Sequence, residues 1–160
     1  MNVRPESAAA SSAGAATGFH CTLAAIAYPE AVTRVIEALK TEGFGVPTDL
    51  DVQAAMKARV HVGLPPYRIF GACNPPLAYR ALTAQPVIGL SLPCNVIVRE
   101  ETSGTQMVGF MDPLAVMQMT DDPGVAKVAA EFRSRLEWVR PSLTDAAGSS
   151  TNHNGGSNVS

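Results

Sequence analysis

Cys73 in Gly71-Ala72-Cys73-Asn74-Pro75 and Cys94 in Pro93-Cys94-Asn95 each precede an asparagine where the chain changes local structure. Thiols in such positions suit a nucleophile, a reversible redox pair or a soft-metal site. Cys73 is the better nucleophile candidate, because it stands just before an expected helix N-terminus whose N–H groups and dipole favour a thiolate. Cys94 alternates onto the side of Val96 and Val98, which turns it toward apolar neighbours and raises its pKa. Free cysteine also packs well as a small hydrophobe, so the bland reading of both is core filling.

Two thiolates leave a tetrahedral zinc site incomplete, and there is no CxxC. His20, His61 or methionines would have to complete it, so no metal is assigned. Asn74 reads as a helix N-cap and Asn95 as a residue satisfying backbone at a strand edge. In the functional reading, their amides and the helix N–H groups take a small anion. Lys57 and Tyr67 complete the candidate ligand set of Cys73, Asn74, Cys94, Asn95, Lys57 and Tyr67. In its sharpest form, Lys57, Cys73 and Asn95 gather round one cleft. Lys57 and Arg68 otherwise read as solvated charges, Asp49 and Asp51 as a pair sharing one face of a strand edge, and Met117 and Met119 as core filling rather than a copper spacing. The glycines form neither GxxxxGK[ST] nor GxGxxG, and Ser91 lies outside a G-x-S-x-G elbow, which disfavours nucleotide and hydrolase chemistry.

The elements that must position these residues follow from periodicity. Val32, Val35, Ile36 and Leu39 mark a helix that Pro29 opens and Gly43 ends. A strand comes next, with Phe44, Val46, Leu50 and Val52 on one side and Asp49 and Asp51 on the other. A short helix over 53–61 stops before Gly63 and Pro65-Pro66. Tyr67 to Cys73 reads as a buried strand, and Asn74-Pro75 opens a helix carrying Leu77, Ala78, Ala81 and Leu82. The same cap and proline recur at Asp112-Pro113 and Asp122-Pro123. Strands over 93–100 and 105–111 join at Thr102-Ser103-Gly104. The last helix carries Val125, Val128, Phe132, Leu136 and Val139 and is expected to end near Pro141.

The resulting order, β-α-β-α-β-α-β-β-α, favours an α+β fold with helices packed on a largely antiparallel β-sheet, two layers in a single domain. Residues 1–17 are expected to be a flexible Ala/Ser-rich arm, 18–140 the core domain and 141–160 a disordered polar tail holding His153. Met107 and Met111 oppose Val108 and Phe110, so both faces of the last strand are apolar. A homodimer that buries the second face is the expectation.

Composition narrows the function classes. The 160 residues are 46% hydrophobic and 16% charged, enough for one core, and the formal net charge is -2. Without a basic surplus or a Lys/Arg cluster, nucleic acid is not an expected partner. Three cysteines are not a disulfide framework, and no run is long and apolar enough for a membrane span. The N-terminus lacks the hydrophobic core of a secretory signal, so a cytoplasmic location is expected.

Five motifs in order, Gly43-Phe44-Gly45-Val46, Asp51-Val52-Gln53-Ala54, Leu64-Pro65-Pro66-Tyr67-Arg68-Ile69, Gly71-Ala72-Cys73-Asn74-Pro75 and Pro93-Cys94-Asn95-Val96, resemble the domain of unknown function 302 family. That resemblance implies a compact prokaryotic α+β domain, often homodimeric, without an established activity. Cys73 and Cys94 match the family's signature positions, whereas Cys21, the arm and the tail fall outside it. The leading expectation is a dimeric module binding a small ligand or anion near the two Cys-Asn motifs. Its rivals are a thiol-dependent redox protein or enzyme using Cys73, and a structural dimer whose cysteines only pack.

Overall fold

The computed structural model describes residues 18–118 and 120–145. The Ala/Ser-rich arm, the tail after Asp145 and Met119 of the Met-Gln-Met spacing lie outside the described residues. The elements run β1 (Gly18–Leu23), α1 (Tyr28–Thr41), β2 (Gly45–Asp51), α2 (Val52–Val60), β3 (Tyr67–Cys73), α3 (Pro75–Ala84), β4 (Cys94–Glu100), β5 (Gln106–Met111) and α4 (Pro123–Asp145). Short 3-10 turns at Pro86–Ser91 and Pro113–Gln118 precede β4 and α4. The sheet order is β1-β5-β4-β3-β2, with every neighbouring pair antiparallel.

Helices α1, α3 and α4 form one layer over one sheet face. Val32, Val35 and Leu39 of α1 meet Leu77 and Ala81 of α3 and the Val125, Val128, Phe132, Leu136 and Val139 stripe of α4 in one core. The sheet contributes its inward alternation: Leu23, Phe70, Ala72, Cys94, Val96, Val98, Val108 and Phe110. Tyr28 ties α1 to the sheet by donating from its hydroxyl to the Val98 carbonyl at 3.0 Å. Arg133 and Arg140 of α4 lie over the Phe19 ring, at 6.0 and 5.6 Å from its centroid, and hold α4 against β1.

Local chemistry sets the element boundaries, at Asn74 and Asp122 as the sequence indicates and at Asp51 beyond it. Carboxylate or amide oxygens cap three helices: Asp51 accepts from Ala54 N–H, Asn74 from Leu77 N–H, and Asp122 from Gly124 and Val125 N–H. Gly43 has a φ of 82°, the left-handed conformation that lets α1 turn into β2.

Two expectations are corrected. α4 does not stop near Pro141 but continues to Asp145, and Leu143 is 1% exposed. Leu143 extends the stripe of Leu136 and Val139, and its burial offsets the hydrogen bond that Pro141 cannot donate, a loss of ~3 kcal/mol in a helix interior. The alternation expected for β2 also fails. A register shift between Gly45 and Thr48, around Pro47, breaks the period, so that Leu50 lies opposite Ile69 and is 52% exposed. Phe44 enters the core ahead of the strand, and Val52 enters it as the first residue of α2.

Among the described residues, no helix packs over the second sheet face. Ile69, Asn95, Ile97, Met107 and Met111 share it by alternation, while α2 buries only Val52.

Candidate functional site

The predicted site residues converge only in part: β3 sets Ala72 opposite Cys94 and Gly71 opposite Asn95, which brings Cys73, Asn74, Cys94 and Asn95 to one end of the sheet, whereas Tyr67 and Lys57 stand elsewhere. Cys94 is 3% exposed on the helix side of β4 and lines an apolar void of about 30 Å³ with Ala81, Ile88, Val125, Val128 and Phe132. Asn95, one residue on, points to the opposite face. Tyr67 begins β3 and Cys73 ends it, so they stand about 20 Å apart at the usual strand rise. Tyr67 borders a depression with Leu64, Pro66, Arg99 and Glu100, and Lys57 borders another with Gln53, His61 and Leu64. The cleft expected to gather Lys57, Cys73 and Asn95 is therefore not formed. Lys57 belongs to α2, beyond the Tyr67 end of the strand.

Cys73 is the clearest correction. Its thiol pKa is raised by burial rather than lowered by a helix terminus. The helix terminus does not oppose that rise, because of the residues that follow. Pro75 and Pro76 occupy the first two positions of α3 and have no N–H, Leu77 N–H goes to Asn74 Oδ1 at 3.2 Å, and Ala78 N–H goes to the Asn74 carbonyl at 2.9 Å. The donors that would stabilise a thiolate or an anion are absent or taken. Asn74 is equally committed: it is 5% exposed, and its Nδ2 donates to the Gly43 carbonyl at 3.1 Å. One amide thus caps α3 and pins it to the α1–β2 turn.

Burial pushes the Cys94 thiol up to about 12, with neighbouring Cys73 adding to the shift, and pushes Cys21 up to about 11 against the opposing field of Arg140. All three cysteines are free. Alkylation by iodoacetamide at about pH 7 should therefore proceed more slowly on each folded thiol than on an unfolded control, by at least roughly tenfold for Cys21 and Cys94, since the thiolate is the reacting form. Quantitative mass spectrometry of labelled peptides measures this, and fast labelling of Cys73 would restore the reactive reading. Among the described residues, no group of three His, Cys, Asp or Glu side chains is placed to hold a metal ion.

What the molecule offers instead is a groove of about 320 Å³ on the open sheet face, lined by His20, Asn95, Ile97, Met107, Gly109 and Met111 among others. Its floor is Gly109, where a Cβ would stand 2.8 Å from Ile97 Cγ1. His20 and Asn95 supply its polar side chains, both exposed. Of the predicted set, Asn95 alone lines this groove. The signal for the rest was the apolar alternation on both sides of β5.

Fold and site together define a single-domain, two-layer α+β protein with, among the described residues, one sheet face free of helices and thiols whose pKa values burial raises. The model of Domain of unknown function DUF302 matches residues 19–140, and the chain belongs to that family. A crystal structure of the uncharacterized conserved protein DUF302 from Bacillus stearothermophilus is similar, with 31% sequence identity and a TM-score of 0.70 over 78% of this chain and 98% of that one. No curated protein matches the chain. Among the described residues, no helix is long and apolar enough to cross a membrane.

Proposed function

We propose that this protein is a homodimeric binding module whose working surface is the open sheet face, and that its groove takes a small, largely apolar molecule with one hydrogen-bonding end. The observation that carries this reading is the coincidence of a sheet face that no helix among the described residues covers, a groove of about 320 Å³, and two exposed polar side chains, His20 and Asn95, on an otherwise apolar lining. Asn95 keeps its place as a ligand-binding candidate. Cys73, Asn74 and Cys94 become supports of the scaffold beneath it.

The reading is tested with the dye ANS and the full chain. Wild-type protein should enhance its fluorescence, and Met107→Glu or Ile97→Glu should cut that enhancement by about fivefold, since each places a carboxylate in the apolar lining. Absence of enhancement in the wild type would reject the groove as a binding surface.

A second reading, a structural dimer that closes the open faces against each other, is favoured by Leu50, 52% exposed on that face. Such a dimer would bury the groove. Dye binding should then rise on dilution into monomer, rather than persist at concentrations where the dimer is complete.

A further inference from the structure

The two edges of the sheet differ in a way that bears on assembly. β2 carries the devices that keep an edge strand from pairing: Pro47, the register shift between Gly45 and Thr48, and the carboxylates Asp49 and Asp51. β1, with the sequence Gly-Phe-His-Cys-Thr-Leu, has no proline, no Lys, Asp or Glu and no register shift against β5. Among the described residues, nothing pairs with its outer side. An unprotected strand of six residues is a template for another strand.

We propose that β1 pairs antiparallel with β1 of a second copy, joining two sheets into one continuous ten-stranded sheet about a twofold axis at Cys21. The copy is the fitting partner because the strand is self-complementary. Residues opposite one another in an antiparallel pair lie on the same face, so only registers that pair odd positions with odd ones keep both cores on one side. An axis at Cys21 sets Phe19 against Leu23 on the helix side and His20 against Thr22 on the open side. An axis at His20 would instead oppose the two imidazoles and break the Phe19–Leu23 match, so the Cys21 register is the one selected.

This deepens the preceding reading, and one consequence rests on it. Gly18, Phe19 and His20 line the β1 border of the groove, so the axis lies beside it. The two grooves then run into one trough, with Thr22 of each copy facing His20 of the other.

The test uses the full chain and two exposed positions, His20 and Thr22, so that folding is not at stake. Sedimentation velocity at micromolar concentration should show a dimer. Oxidation with copper phenanthroline should link Cys21 to Cys21, because a cross-strand pair about 4.5–5.5 Å apart at Cα lies within disulfide range. The double variant His20→Asp/Thr22→Asp sets carboxylates opposite one another and should weaken the dimer about tenfold, whereas His20→Lys/Thr22→Asp sets opposite charges together and should restore it. A monomer overturns the proposal, including one whose β1 edge is covered by its own residues 1–17. So does a dimer indifferent to both variants and lacking the Cys21 link, which would assign assembly to the open face. A β1-linked dimer that leaves ANS fluorescence unchanged would retain the edge pairing and reject only the groove.

Discussion

Asn74→Ala should lower the unfolding free energy by about 3 kcal/mol, a large share of the ~5–15 kcal/mol typical of a domain. The side chain is 5% exposed and serves two elements at once, accepting from Leu77 N–H at 3.2 Å and donating to the Gly43 carbonyl at 3.1 Å. Losing the cap costs about 1 kcal/mol, and each buried group left unpartnered costs about 1–3 kcal/mol. The turn that Asn74 holds is also reached from α4, where Arg135 Nη1 donates to the Glu42 carbonyl at 3.4 Å, so it is a junction of three helices and not a loop end. Asn74→Asp keeps an oxygen for Leu77 N–H and loses the donor to Gly43, so it should fall between wild type and alanine. Urea titration of the three proteins measures this. An alanine variant as stable as wild type would free Asn74 from the scaffold and return it to the list of ligand-binding residues.

That double duty explains how much could be read from the chain. The element order was legible because each boundary is written locally: Asn74-Pro75, Asp122-Pro123 and the Thr102-Ser103-Gly104 turn all act within a few residues of themselves. So was the apolar second face of β5, because strand alternation needs only neighbours. The bond from Asn74 to Gly43 spans 31 residues and has no local signature. The version of the cleft that included Lys57 failed for the same reason. Nearness of Lys57 to Cys73 depended on how α2 joins β2 to β3, and the joint places α2 beyond the Tyr67 end. Cys73 was misjudged on a point the sequence did contain: a helix N-terminus attracts a thiolate through its N–H groups, and Pro75-Pro76 has none to offer.

Stability should fall in alkali, with Cys94 as the largest cause among the thiols. Its pKa is raised from 9.0 to about 12 by burial first and by the neighbouring Cys73 second. In the unfolded chain the thiol ionises near its ordinary value, so above that pH the unfolded state binds fewer protons than the folded one. The stabilising contribution is complete below about pH 9 and is lost as pH rises toward 12, by roughly 2–3 kcal/mol at about pH 11. Cys21, raised to about 11 by burial against Arg140, acts in the same direction but is partly open to solvent, which reduces its share. Tyr28, raised to about 12 chiefly by burial, adds a third contribution of the same sign. Cys94→Val separates the thiol from the rest. The side chain borders an apolar void of about 30 Å³ that can take the extra methyl, so stability at about pH 7 should stay within ~1 kcal/mol of wild type. Between pH 9 and 11, denaturant titrations should then show a shallower decline than wild type by most of the Cys94 share. An unchanged alkaline slope would mean that Cys94 ionises as freely in the folded protein as outside it, and would reopen the case for paired, reactive thiols at the end of β3.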